Sequence, residues 1–278
     1  MEEQRHFPVF VSGLSGSGTS LLAGLLYQHC DFDHVEFESD LNRHLDHRVK
    51  MLHSGRYASL NEYRRALALD PDLGASSLRE EKIRLYRHKS RRILFKSLFG
   101  AKVIRVLDKS ANCHLVRSRQ LKAAFPASKF VIIYRDPVEN IEGWIRKWKM
   151  FREAGLDALC ELYAYLYKTF IHDTRDFSED VTIVHYRQLV SESESCVDAL
   201  AAFCAVPRRK HVKSLNRLKN TPNKQAKGLR NVDSRGRIIV DMGRAEDHEY
   251  ALSAVQENVV GERLGYLESH LKDRIRFI

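Results

Sequence analysis

The chain has 278 residues, of which 44% are hydrophobic and 29% charged, ordinary values for a soluble globular protein with room for one large α/β domain. Its formal net charge of +10 points to an anionic partner, a nucleic acid, an anionic membrane surface or a polyphosphorylated cofactor. No apolar run approaches the roughly 20 residues of a membrane helix, and five cysteines without a CxxC pair argue against a disulfide framework or a zinc site.

Met1 to His6 is charged and leads straight into a strand, so no signal peptide and a cytoplasmic location are expected. Pro8 to Ser12 reads as a buried strand, followed by a glycine-rich loop and a helix from Thr19 to His29 with Leu21, Leu22, Leu25 and Leu26 on one face. Val35 to Glu38 alternates like a short strand. The charged stretch from Leu41 to Leu98 reads as a helical insertion, with a Ser59/Glu62 capping box, a turn at Asp70 to Gly74 and a long helix from Ser77 to Leu98. Arg84, Arg87, Lys89, Arg91 and Arg92 then make a solvated helix face.

Strands follow at Val103 to Leu107 and Lys129 to Tyr134, with a helix from His114 to Phe125 between them. Asp136 and Pro137 have the residue types of an N-cap and a first helical position. Two helices come next, the second from Leu156 to Phe170. Val181 to His185 is a further strand and Ser193 to Cys204 a helix. Pro207 to Arg237 is basic and weakly patterned, as a mobile loop would be, and Ala245 to Leu271 closes the chain as a helix. This alternation predicts an α/β fold: one P-loop domain over 1–278, three layers α/β/α around a central parallel sheet, with the helical insertion at 41–98 and the basic loop at 207–237. No zinc finger or aromatic-interleaved basic platform supports nucleic-acid binding.

The loop Gly13-Leu-Ser-Gly-Ser-Gly-Thr-Ser20 fits the spacing G-x-x-x-x-G-K-[ST] except that Thr19 replaces the lysine. Glycines let successive amides curl toward an anion, the following helix adds its own free amides, and Thr19 and Ser20 offer hydroxyls. A bare glycine-rich turn would not need the order strand, loop, apolar helix. Without the lysine a phosphoryl-transferring kinase is badly handicapped, even though Asp108 follows a strand as a magnesium-binding acid would.

Several separated motifs resemble the PAPS-dependent sulfotransferase superfamily, notably its bacterial and tyrosylprotein-type branches. Ser15-Gly16-Ser17-Gly18-Thr19-Ser20 is similar to the loop P-[RK]-S-G-T-[TS] that cradles the 5′-phosphosulfate, with Gly16 where the family has arginine or lysine. Lys109-Ser110-Ala111-Asn112 resembles a K-[TS]-x-N element, which implies that Lys109 stabilises the sulfonate and the departing phosphate. Tyr134-Arg135-Asp136-Pro137 resembles the element whose arginine binds the 3′-phosphate, with Gly143 in place of a serine eight residues on. His185-Tyr186-Arg187-Gln188-Leu189 looks like v-x-Y-E-D-L, which implies an adenine contact for Tyr186, and Lys227-Gly228 resembles an R-K-G element that closes on the 3′-phosphate.

The resemblance implies a sulfuryl transfer from PAPS, without metal, to a hydroxyl or amine of an unidentified acceptor, leaving PAP. Ala111 stands where the cytosolic branch has a histidine base. The glutamate base of the other branches falls on Phe37, between Glu36 and Glu38, so either glutamate fits, Glu36 marginally better. His29, His34 and His114 are fallback bases. Lys227 or Arg230 could compensate for Gly16 and Gly143. The alternatives are a non-catalytic PAP-binding protein and a kinase-like P-loop phosphotransferase.

Overall fold

In the computed structural model, which describes residues 6–37, 67, 74–99, 103–213, 233, 237, 238, 240 and 252–278, six parallel strands build one sheet. They are β1 (His6–Gly13), β2 (His34–Phe37), β3 (Ile104–Lys109), β4 (Lys129–Tyr134), β5 (Val181–His185) and β6 (Arg276–Phe277). The order across the sheet is β2-β3-β1-β4-β5-β6, so β1 pairs with β3 on one side and β4 on the other. The parallel α/β fold expected from the alternating pattern is thus present.

The strands form where β-branched and aromatic residues alternate between two buried faces. In β4, Phe130, Ile132 and Tyr134 enter one core, while Val131 and Ile133 enter the other. All five are 0–1% exposed, and each such burial contributes about 1.5–3 kcal/mol. Helix α1 (Thr19–His29) covers the second face through Leu22, Leu25 and Leu26, joined there by Val9, Val11 and Leu107.

The first face is covered by helices on either side of β4. Between β2 and β3 come α2 (Ala75–Lys89) and α3 (Arg91–Leu98), and between β3 and β4 come α4 (Cys113–Val116) and α5 (Ser118–Ala124). After β4 follow α6 (Pro137–Lys147), α7 (Lys149–Ala154) and α8 (Leu156–Thr174). Helices α9 (Tyr186–Ser191) and α10 (Ser193–Phe203) follow β5 and join α1 on the second face, while α11 (Ala254–Leu264) and α12 (Tyr266–Lys272) precede β6. The described part of the expected insertion is therefore helical; 38–66 and 68–73, with the Ser59/Glu62 box, lie outside the described residues.

Several helices are broken where the apolar pattern runs on. The helix expected over Ser77 to Leu98 is α2 and α3, because Ser90 is extended (φ −130°, ψ 107°) and its hydroxyl accepts the Ile93 amide as an N-cap. The helix expected over His114 to Phe125 divides at Arg117. The segment after Pro137 holds three helices rather than two, and the final helix divides at Gly265. Helix α9 and strand β6 had no expectation. Pro207 to Lys213, the described start of the basic segment, is tied to the end of α1 through Arg209 N to His29 O and Lys213 N to Gln28 O. All five cysteines are free and buried. Among the described residues no helix is long and apolar enough to cross a membrane.

The inserted helix α2 is fixed to the sheet by charge. Lys82 Nζ lies 2.6 Å from Asp108 Oδ2, and Tyr86 Oη donates to the same oxygen at 2.5 Å, all three residues being 0% exposed. His114 Nε2 lies 3.5 Å from the other carboxylate oxygen. Burial lowers the Lys82 ammonium despite Asp108. Burial alone would raise Asp108, but Lys82, His114 and the two hydrogen bonds hold it below the usual carboxylate range. Asp108, read above as a candidate magnesium ligand, is consumed by this internal pairing.

Lys82→Met leaves a buried carboxylate without its cation and should lower the unfolding free energy by about 3–5 kcal/mol in urea titration, with part of the loss recovered in Lys82→Met/Asp108→Asn. Burial, reinforced by the Lys82 and Arg117 cations, pushes His114 down to about 3 from 6.5 against the pull of Asp108. The unfolded chain therefore binds more protons between those values, so this group's contribution is complete above 6.5 and is lost as pH falls toward 3. Thermal midpoints of His114→Asn should fall less steeply than wild type over that acid range.

Candidate active site

β1 delivers the chain to the loop at the carboxyl end of the sheet, where open α/β sheets bind ligands. The Leu14 carbonyl accepts the Ser17 amide at 3.0 Å, and Gly16 (φ 89°) and Gly18 (φ 102°) take left-handed backbone. Such a conformation strains any residue with a side chain, which explains why glycine fits where the resembling loops have arginine or lysine. Gly18 is required a second time: a Cβ there would stand 2.8 Å from the Tyr186 ring. α1 begins at Thr19 with no side chain capping its first turn, so its amides face the loop's interior.

Three neighbours hold the loop. From the end of β3, Asn112 Oδ1 accepts the Ser15 amide at 2.9 Å and Asn112 Nδ2 donates to Ser15 Oγ at 3.0 Å. Asn112 itself sits at φ 59°, and its amide donates to Gly13 O at 2.9 Å. From α6, Trp144 Nε1 and Asn140 Nδ2 both donate to the Ser15 carbonyl, at 2.5 and 3.4 Å. From the β5–α9 junction, the Tyr186 ring packs on Gly18. Among the described residues, two buried polar atoms of this assembly have no hydrogen-bond partner, Ser17 Oγ and Asn140 Oδ1. A donor in an anion cradle and an acceptor beside it are what a phosphate-bearing ligand with hydroxyl or amine groups can satisfy.

Arg135 emerges at the end of β4, next to β1. Its Nη1 donates to Gly16 O at 3.1 Å, its Nε donates to Glu139 Oε2 at 2.9 Å, and its guanidinium lies 4.6 Å from the centre of the Tyr186 ring. Asp136 caps α6 by accepting the Val138 and Glu139 amides, with Pro137 in the first turn, so the arginine is placed by a rigid strand-to-helix junction. The pairing of Arg135 is with Glu139, one helical turn on, and not with the adjacent aspartate.

Ser15, Gly16, Ser17, Gly18, Thr19, Ser20, Arg135 and Tyr186 thus share one corner of the sheet. Lys109 pairs with Val11 in register, on the sheet face that α1 covers. Glu36 pairs with Asp108 and so leaves β2 on the opposite face, where it is 1% exposed and bonded to His34 Nε2 at 3.2 Å. Of the three expected catalytic side chains, the two described, Glu36 and Lys109, are therefore adjacent in the sheet but on different faces. Glu38, Lys227 and Arg230 lie outside the described residues. Of the fallback bases, His114 is buried against Phe10, and His29 lies 3.7 Å from Glu194. Burial lowers the His29 imidazole despite the pull of Glu194.

Asn112, Asn140, Trp144 and Glu139 were not among the expected site residues. For Asn112 the K-S-x-N spacing carried a signal. For α6 the signal was the register itself: Asn140 and Trp144 are four apart and so share a face.

The profile of a family described as Sulfotransferase family matches residues 8–210. No curated protein sequence matches the chain significantly. Among solved structures, a sulfotransferase domain from the curacin biosynthetic pathway superposes with a TM-score of 0.54 at 15% identity, covering 94% of this chain and 98% of that one. A sulfotransferase from Mycobacterium avium gives 0.51 at 14% identity, covering 98% and 78%. One from Mycobacterium tuberculosis H37Rv gives 0.51 at 16%, covering 95% and 78%. At such identities these structures share the fold.

Asn112→Ala leaves the Ser15 amide and hydroxyl without their partners inside a buried loop. It should lower the unfolding free energy by about 2–3 kcal/mol in urea titration.

Proposed function

Because the chain belongs to the sulfotransferase family, we propose that it transfers a sulfuryl group from PAPS to a hydroxyl or amine of an acceptor and does so without a metal. The observation that carries the reading is the convergence of three motifs from distant parts of the sequence: the loop Gly13 to Ser20, Arg135 bonded to the Gly16 carbonyl, and Tyr186 packed between them. Bound PAPS supplies an activated sulfuryl group on a phosphate leaving group.

On this reading the loop amides, with the hydroxyls of Ser17, Thr19 and Ser20, hold the 5′-phosphosulfate. Ser17 Oγ, buried and unpartnered, has a donor to give. Arg135 takes the 3′-phosphate through the part of its fork not turned to Glu139 and Gly16, and Tyr186 lies against the adenine. Lys109, on the α1 face beside the loop, neutralises charge that develops on the leaving phosphate. Glu36 takes the acceptor's proton. Its carboxylate lies at the carboxyl end of β2, and His34 bonds and orients it.

Calorimetric titration with PAP tests the reading. Tight binding that needs no magnesium and weakens at least about tenfold in Arg135→Ala supports it; binding of Mg-ATP in place of PAP sinks it in favour of a kinase relative. Glu36→Gln should keep PAP affinity and thermal midpoint while turnover falls by about two to four orders of magnitude. A variant that loses its fold instead would assign Glu36 to the buried charges around Lys82.

A further inference from the structure

The 3′-phosphate grip inferred from the resemblance lacks one of its parts. Gly143 offers no hydroxyl, and a Cβ built on it meets nothing within 4 Å. At the place where the resembling segment v-x-Y-E-D-L has glutamate, this chain has Arg187. A negative side chain is thus replaced by a positive one, next in sequence to the tyrosine that packs on the loop.

The geometry of that replacement is specific. Arg187 Nε and Nη2 both donate to Glu139 Oε1, at 2.9 and 2.5 Å. Arg135 Nε donates to the other oxygen of the same carboxylate at 2.9 Å. Two guanidinium groups therefore stand side by side across one carboxylate, whose oxygen spacing is close to that of a phosphate. One end of the pair is tied to the loop through the Gly16 carbonyl, and the other to the β5–α9 junction that carries Tyr186. Burial alone would raise the Glu139 carboxyl, but the hydrogen bonds from Arg135 and Arg187 outweigh it and keep it below the ordinary glutamate range. Glu139 is thus an anion shared by two cations. As a surface ion pair, with Arg187 73% exposed, the contact contributes little to stability.

We propose that Arg187 is a second cation of the 3′-phosphate subsite, aligned beside Arg135 by the shared carboxylate of Glu139 and filling the role left open at Gly143. This rests on the reading of PAPS as donor. Its consequence is selectivity: the pair discriminates nucleotides that carry a 3′-phosphate from those that do not, because only the former bring an anion to both guanidiniums.

The test is calorimetry with adenosine 3′,5′-bisphosphate (PAP) and adenosine 5′-phosphate on wild type, Arg187→Ala and Arg187→Lys, with thermal midpoints recorded for each. Arg187→Ala should weaken PAP binding about tenfold and change adenosine 5′-phosphate binding less than about twofold, at an unaltered midpoint. Arg187→Lys should recover part of the PAP affinity, since it restores the charge without the planar fork. PAP affinity unchanged in Arg187→Ala, or an equal loss for both nucleotides, would overturn the role of Arg187 while leaving the donor reading intact. A wild type that binds no PAP would overturn both.

Discussion

A loop that turns its amides toward one point gives up the hydrogen bonds those amides would make in a helix or sheet. It keeps that shape only if its other groups are held from outside. Here the holding is done through Ser15, whose amide, hydroxyl and carbonyl are each engaged by residues of other elements, Asn112, Trp144 and Asn140. Apart from the Ser17 amide, which donates to Leu14 O, the amides beyond Ser15 are then left for the loop's interior, with α1 starting behind them. Asn112 is itself at positive φ, the kind of backbone strain that persists where the surroundings over-determine a residue. Loop, lysine-bearing strand and α6 are in this way a single rigid object, and Arg135 and Tyr186 are placed relative to it.

The face of the sheet away from α1 is organised by a different contact. Lys82, Tyr86 and Asp108 form a buried polar knot between α2 and β3, one residue before Lys109. Apolar residues of similar volume could serve stability as well or better. What the knot adds is register, since a helix held by an ion pair and a phenol to one carboxylate cannot slide along the strand without leaving charges unpaired. Glu36 shares this face, opposite Asp108 in the sheet. The helical insertion and the candidate base are thereby positioned against the same strand end.

Much of this was legible in the sequence, for identifiable reasons. Helix Thr19–His29 and strands Lys129–Tyr134 and Val181–His185 have the bounds the pattern indicated, because a glycine loop, a β-branched run and flanking polar residues each mark an end locally. The loop was legible from its glycines between a strand and an apolar helix, whereas Arg135 and Tyr186 were assigned to the same site through the family motifs they resemble. The breaks at Ser90 and Arg117 were not legible: apolar spacing continues through both, and Ser90 acts through a cap whose need arises from packing. The opposite faces of Glu36 and Lys109 depend on the register between β2 and β3, which 41–98 separates in the sequence. The Glu139 bridge joins residues 48 apart, and nothing local to Arg187 announces it.

The place of β1 in the sheet has a consequence for synthesis. β1 precedes both of its partners in the chain, Ile104–Lys109 and Lys129–Ile133. On the ribosome a strand whose core residues are Val9, Phe10 and Val11 must therefore wait, unpaired on both edges, until Ile104–Lys109 has emerged. Such pairing is slow, because the intervening chain must be brought back before any contact rewards it. Until then an apolar strand and the apolar α1 are exposed together, the condition under which nascent chains aggregate or engage chaperones. The arrangement that puts β1 at the centre of the sheet also leaves it waiting on two partners that both come later in the chain.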